Sequence, residues 1–169
     1  SEDLIKIEKL TSPEPIYDLT DCGFKNAPAG VFSRRKMLRK EALLIQDNML
    51  SSLDGGGSFS DLSEIQVLDL HKNSLEKLPE DIGHLANVRV LYIQDNKLKQ
   101  LPNSLGNLKN LQTLNIPGNS LKEIPSSISG LVSLKTLDVR KNPKLKRIPK
   151  EVAHLRGLDT LLLDEEHIS

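Results

Sequence analysis

The sequence is poor in aromatic residues and has a single cysteine. Its 169 residues include no tryptophan, two tyrosines and three phenylalanines, so the core has to be built from aliphatic side chains. One cysteine cannot form an intrachain disulfide, and no Asn-x-Ser/Thr glycosylation sequon occurs. These absences argue against a secreted protein, and we expect a cytoplasmic location.

Charge and hydropathy argue against two further kinds of partner. The 23 basic and 23 acidic residues give zero net charge, which disfavours bulk attraction to nucleic acid or to an anionic membrane. No apolar run approaches the ~20 residues that a transmembrane helix needs. We therefore expect a protein partner, no nucleic acid and no membrane span, and we favour a monomer.

An asparagine recurs every 23 residues from Asn73 to Asn142, each time in the frame L-x-(L/I/V)-x-x-N. A fixed period of this length is typical of a solenoid. The frame extends upstream to a cysteine and downstream to Glu166, which gives seven repeats with the last one truncated. The positions that form this structural ladder are Cys22, Asn48, Asn73, Asn96, Asn119 and Asn142.

Each repeat predicts one short strand and one short turn. Alternating apolar and polar residues before each asparagine indicate a strand with one face inward. The following segment, such as Leu78 to Leu85, suits a helical or 3₁₀ turn that begins at a proline. The inward asparagine amide is expected to satisfy buried backbone groups of adjacent loops. The triple glycine Gly55 to Gly57 is interpreted as a loose surface loop.

These repeats resemble those of leucine-rich repeat proteins of the intracellular 23-residue class. The resemblance implies an α/β solenoid with a parallel concave β-sheet and short helical or 3₁₀ segments on the convex side. We expect an N-terminal cap over residues 1–13 and the repeat domain over residues 14–169. The chain stops before the turn that should follow the last strand, so we expect a fragment of a longer protein.

No arrangement of residues predicts catalysis. Cys22 stands at a ladder position, where a buried thiol is inert. The four histidines show no zinc-ligand spacing, and no nucleophile elbow, P-loop or dinucleotide motif occurs. We expect no catalytic residue, no metal and no cofactor in this chain.

One basic cluster runs from Arg34 to Lys40. It contains Arg34, Arg35, Lys36, Arg39 and Lys40, with Met37 and Leu38 between them. One interpretation is a site for lipid headgroups or an acidic partner. The other, which we favour, is a solvated helical face that packs Met37 and Leu38 inward.

The concave sheet face is the stronger candidate for binding. Alternate strand residues project outward from the core, in columns that run across the repeats. Tyr92 and Leu44 are apolar groups in these columns, and mixed charges flank Tyr92 on either side. The predicted partner-binding residues are Asp69, His71, Tyr92, Gln94, Asn115, Asp138 and Arg140.

A second resemblance is more specific. It rests on the stretches 18–22, 67–71 and 152–156, with Pro28, Gly30, Phe32, Met37, Leu38, Leu44, Ile45, Asn48, Leu50, Leu163 and Asp164. In these residues the chain resembles the opening of the leucine-rich repeat and sterile alpha motif-containing E3 ubiquitin ligases, which also have a cysteine at the first ladder position and lack the asparagine in a terminal repeat.

The second resemblance implies a recognition role rather than an enzyme. In that family the repeats select targets, and a C-terminal RING domain transfers ubiquitin. A RING needs about eight cysteine and histidine ligands for two zinc ions, whereas this chain has one cysteine. Two alternatives remain open: a stand-alone signalling scaffold of the Ras-suppressor type, and a lipid-surface docking module that uses Arg34 to Lys40.

Overall fold

The structure, a computed structural model, describes residues 15–167, so the predicted cap over residues 1–13 lies outside the described residues. Seven strands of three residues form one parallel sheet in sequence order. They are β1 (Ile16–Asp18), β2 (Ala42–Leu44), β3 (Val67–Asp69), β4 (Val90–Tyr92), β5 (Thr113–Asn115), β6 (Thr136–Asp138) and β7 (Thr160–Leu162). This architecture confirms the predicted solenoid with its seven repeats.

The strands pair without any shift in register. Leu68 of β3 pairs with Leu91 of β4, which pairs with Leu114 of β5, and all three are buried. The residues on either side of each central leucine face outward and form the predicted columns, so that Asp69, Tyr92 and Asn115 are aligned. The 23-residue period therefore places equivalent residues of successive repeats side by side.

Short 3₁₀ helices form the convex side, as the proline-led segments predict. Four of them follow the strands β3 to β6 and span Glu80–His84, Asn103–Asn107, Ser126–Gly130 and Lys150–His154. A proline precedes each of these helices, and one aliphatic side chain from each, such as Ile82, is buried. Two others span Phe59–Leu62 and Glu165–His167.

The asparagine ladder joins neighbouring repeats as predicted. The Asn73 Nδ2 donates to the carbonyls of Ile45 and Leu70, and its Oδ1 accepts from the Leu50 backbone N–H at 3.1 Å. At the first ladder position Cys22 is buried, and its backbone N–H donates to Asn48 Oδ1 at 3.0 Å. The buried backbone groups between the repeats are thereby satisfied.

The middle residue of the triple glycine is packed, so the prediction of a loose surface loop is wrong for Gly56, while Gly55 and Gly57 are exposed. The Gly56 carbonyl accepts from the Phe32 backbone N–H at 2.6 Å, and Gly56 is buried. A Cβ added at Gly56 would lie 2.5 Å from the Phe32 ring. That ring also packs edge-on against Phe59, with centroids 5.9 Å apart. Glycine is required here because the backbone approaches the ring closely.

The basic cluster differs from the prediction in two of its residues. Helix α1 (Arg34–Met37) buries Met37, but Leu38 is 60% exposed. Lys40 was expected in solvent, yet it is 4% exposed, and its Nζ lies 5.6 Å from the centroid of the Tyr17 ring. The helix ends at Met37, and Arg39 adopts a φ of 63°, so the chain turns Leu38 outward and Lys40 inward.

The last strand is open on its inner side. Leu161 is 37% exposed, whereas Leu137 at the same position of β6 is fully buried. Beside β7 lies an apolar groove of about 540 Å³ that includes Val152, Leu155 and Leu158 in its lining. Among the described residues, no further repeat covers this groove.

Candidate protein-interaction surface

The outward columns of β3 to β6 and the residues that follow these strands form the candidate surface, called here the sheet face. Strand pairing aligns Asp69, Tyr92, Asn115 and Asp138 in one column. A second column follows two residues later and contains His71, Gln94 and Arg140, with Pro117 between the last two. The structure therefore brings all seven predicted binding residues onto one face.

At one end of the sheet face, Asp69 orients His71 through hydrogen bonds. The Asp69 Oδ1 accepts from the His71 backbone N–H at 3.1 Å and lies 2.5 Å from His71 Nδ1. Asp69 is 8% exposed, which differs from its predicted role as an exposed contact residue, while the His71 side chain is 22% exposed. The carboxylate thus fixes the histidine ring, and the ring itself is presented to solvent.

At the other end, Asp138 holds Arg140 in the same way. The Arg140 Nε and Nη2 donate to the two oxygens of Asp138 at 3.0 and 2.8 Å, and the Arg140 backbone N–H donates at 3.1 Å. Asp138 is buried, again unlike the prediction, whereas half of the Arg140 side chain is exposed. These hydrogen bonds and the negative charges of Asp138 and Asp164 raise the pKa of Arg140 above its usual value.

Between these two pairs, the sheet face carries Tyr92, Gln94 and Asn115. All three side chains are partly exposed. His71 and Arg140 stand three strands apart, about 14 Å at the usual spacing of strands. The result is a patch with one aromatic ring and two amides, bordered by a fixed imidazole and a fixed guanidinium.

The outward columns could be predicted from the sequence, but the role of Asp69 and Asp138 in orienting their neighbours was not predicted. Each aspartate stands two residues before the side chain that it holds, in the pairs Asp69–His71 and Asp138–Arg140. This spacing lets a carboxylate accept from the backbone N–H two residues later. An aspartate at the end of a strand, followed after one residue by a basic side chain, is the signal that could have identified these pairs.

The sheet face offers hydrogen bonds and aromatic surface rather than a reacting centre. Within residues 15–167, no cluster of three His, Cys, Asp or Glu side chains could hold a metal ion. No helix among the described residues is both long enough and apolar enough to span a bilayer. The arrangement of fixed polar groups around Tyr92 is suited to binding a partner surface.

Comparison with a curated protein gives a partial relative. The chain is similar to the E3 ubiquitin-protein ligase LRSAM1 of Mus musculus, with 42% identity over 81 residues. The match covers 47% of this chain and 11% of that protein. The chain therefore spans only a small part of the length of this relative.

Two solved structures share the fold. The Leptospira interrogans LRR protein LIC12759 has a TM-score of 0.70 and 28% identity, over 96% of this chain and 46% of that chain. The LRR ectodomain of the plant membrane receptor kinase GASSHO1/SCHENGEN3 from Arabidopsis thaliana, in complex with CASPARIAN STRIP INTEGRITY FACTOR 2, has a TM-score of 0.70. It is 27% identical over 86% of this chain and 18% of that chain.

A family model confirms the assignment that the asparagine ladder and the parallel sheet indicate. The model described as Leucine rich repeat matches residues 41–98 and 109–168, which together make up more than half of the chain. The chain belongs to the leucine-rich repeat family, whose fold is a protein-interaction domain.

Proposed function

We propose that the sheet face binds a protein partner and that the chain is the target-recognition domain of a RING-type E3 ubiquitin ligase acting in the cytoplasm. The observation that carries the binding proposal is the pair of fixed groups, His71 and Arg140, on either side of Tyr92. Fixed side chains lose little rotamer freedom on binding, so each contact costs less entropy. The partial similarity to the ligase LRSAM1 supports the second step.

The mechanism of recognition follows from this geometry. Tyr92 supplies a large amphipathic surface, and the free part of the Arg140 guanidinium can still donate hydrogen bonds to a partner. Asp69 and Asp138 contact their own neighbours and orient them. We assign the direct contacts to His71, Tyr92, Gln94, Asn115 and Arg140, and the positioning to the two aspartates.

The binding step is tested with a double variant, Tyr92→Ala with Arg140→Ala. Proteins captured from a cytosolic extract by the chain should be lost with this variant, while the thermal unfolding midpoint stays within a few degrees. The matched control is Val132→Ala with Arg156→Ala, two exposed positions away from the sheet face, which should capture the same proteins as the unchanged chain. Equal capture by both variants would move the binding site off the sheet face.

The ligase step has its own test. The full-length sequence should contain a cluster of about eight cysteines and histidines with RING spacing. Captured partners should also be ubiquitylated less in cells when the double variant replaces the unchanged repeats in the full-length protein. A full-length protein without the RING cluster would favour the scaffold alternative, which uses the same face.

One observation favours a second candidate function, docking on an anionic lipid surface. Leu38 is 60% exposed and lies among the exposed side chains of Arg34, Arg35 and Arg39. An apolar group within a basic patch is suited to a headgroup layer of negative charge. Co-sedimentation with vesicles containing phosphatidylserine should then be lost with Leu38→Ser and kept with Met49→Ser, a similarly exposed apolar residue elsewhere.

A further inference from the structure

Two lysines of neighbouring repeats lie in register along the solenoid edge that follows the asparagine ladder, and a third lysine follows in the next repeat. Lys99, Lys122 and Lys146 each follow a buried leucine of their repeat, and all three are exposed. The Lys122 backbone N–H donates to the Lys99 carbonyl at 3.4 Å, and the Lys99 N–H donates to the Glu76 carbonyl at 3.4 Å. These bonds place Lys99 and Lys122 in adjacent rows, at about the usual strand spacing of 4.8 Å.

Two further lysines, Lys97 and Lys144, join the same edge. The five residues Lys97, Lys99, Lys122, Lys144 and Lys146 are called here the lysine edge, and all are exposed. None of the five takes part in an ion pair within residues 15–167. This edge carries five lysines beside two exposed acidic residues, Glu76 in the column of Lys99 and Glu123 after Lys122, so its charge is positive although the whole chain has zero net charge.

The fold does not require lysine at these positions. The preceding repeat has Glu76 in the column of Lys99 and Lys122, and its backbone follows the same path. Like charges in adjacent rows of a parallel stack repel each other, so the pair Lys99 and Lys122 is unfavourable without a partner. A negatively charged ligand would be attracted to each of these lysines, and this attraction would offset the repulsion between them.

We infer that the lysine edge is a docking site for an acidic segment of a protein partner. Lys99, Lys122 and Lys146 belong to three successive repeats and extend over about 10 Å, which an extended segment of about four residues can follow. Within residues 15–167, the large hydrophobic residues that are exposed lie elsewhere, at Ile16, Leu38, Met49, Val132 and Leu161, so the edge has nothing to insert into a bilayer. It also has no aromatic ring on which a nucleic acid base could stack.

The test uses the 169-residue chain and a fluorescent peptide of alternating glutamate and serine. The peptide has about ten residues, so that in an extended conformation it is longer than the lysine edge. Anisotropy titrations at about 50 mM NaCl should show binding that weakens as the salt concentration rises. The triple variant Lys99→Glu, Lys122→Glu, Lys146→Glu should bind about tenfold or more weakly, because each exchange turns an attraction into a repulsion. If that variant unfolds, Lys→Gln at the same three positions replaces it.

The matched control is Arg89→Glu, Lys135→Glu, Arg156→Glu. It changes the net charge by the same amount at exposed positions before the strands, on the opposite edge of the sheet. It should weaken peptide binding by less than about threefold, since only long-range charge is altered. Equal weakening by both triple variants would overturn the proposal, because net charge alone would then explain the binding.

Three further outcomes test this proposal against its alternatives. Binding of phosphatidylserine vesicles or of a single-stranded oligonucleotide, without binding of the peptide, would overturn it in favour of a phosphate-bearing ligand. Tyr92→Ala with Arg140→Ala should leave peptide binding unchanged, because the lysine edge does not depend on the sheet face. No binding of the peptide at low salt would also overturn it.

Discussion

At the scale of the residue, a single asparagine side chain connects three segments of the chain. The Asn96 Oδ1 accepts from the Leu75 backbone N–H at 3.0 Å, and its Nδ2 donates to the carbonyls of Leu70 and Ile93 at 2.9 and 3.1 Å. Asn96 is 8% exposed, so water cannot easily replace these bonds. Removing the amide leaves the Leu75 N–H without a partner, whereas the carbonyls of Leu70 and Ile93 each lose one of two donors and keep the Nδ2 of Asn73 and Asn119.

We therefore expect Asn96→Ala to lower the free energy of unfolding by about 1–3 kcal/mol, because one buried backbone N–H becomes unpaired and two carbonyls each lose a donor. Asn96→Asp should cost at least as much, since a carboxylate cannot donate to the two carbonyls. Asn107→Ala, at an exposed position of a convex 3₁₀ helix, is the control and should cost less than about 0.5 kcal/mol. Urea unfolding compares the three variants, and equal costs would contradict a structural role for the ladder.

At the scale of the element, the 3₁₀ helices stack closely because glycines face the neighbouring backbone. A Cβ added at Gly106 would clash with the Ser127 carbonyl oxygen, and one added at Gly130 would clash with the Gly106 carbonyl oxygen. The carbonyl is backbone, so it cannot swing away as a side chain would. Neighbouring 3₁₀ helices can approach each other this closely only where glycine occupies these positions.

Gly106→Ala should accordingly lower the free energy of unfolding by about 1–3 kcal/mol, because two helices have to move apart. Gly157→Ala is the matched control, since its Cβ would lie at an ordinary 3.5 Å from the Leu134 carbonyl oxygen. The control should change stability by less than about 1 kcal/mol. Thermal unfolding of both variants measures the difference, and a neutral Gly106→Ala would mean that the stack can relax.

The elements also show what could and could not be predicted from the sequence. Strands, ladder and columns follow from the 23-residue period, since one repeat determines the register of the next. The packing of Gly56 on Phe32 and the outward turn of Leu38 were missed, because they depend on contacts between segments that have no counterpart in other repeats. The burial of Asp69 depends on its hydrogen bonds to His71, which the pattern of apolar residues does not encode.

At the scale of the whole molecule, stability depends on the position of a repeat along the solenoid. In a stack, each repeat is stabilised mainly by its two neighbours. Leu114 of β5 has a strand on both sides and is fully buried, whereas Leu161 of β7 has one strand neighbour and is 37% exposed. The same side chain at the same position of two repeats therefore contributes differently.

Leu114→Ala should lower the free energy of unfolding by about 2–5 kcal/mol, the usual cost of a cavity in a closed core. Leu161→Ala removes the same atoms from the open end and should cost less than about 1.5 kcal/mol. Chemical denaturation of the two variants supplies the comparison, with amide hydrogen exchange to follow β7 separately. Similar costs for both would show that the end of the solenoid is as well packed as its middle.

The unshifted register of the strands makes the repeats exchangeable units. Residues 97–119 form one full period, so that deleting them would join Asn96 to Ser120 in the frame Asn-Ser-Leu found at Asn73. Tyr92 would then stand beside Asp138, and the gap between His71 and Arg140 would shorten by one strand spacing, about 4.8 Å. Insertion or deletion of whole repeats thus changes the width of the sheet face between His71 and Arg140, and so the size of the partner that it fits. The contacts within each repeat stay the same.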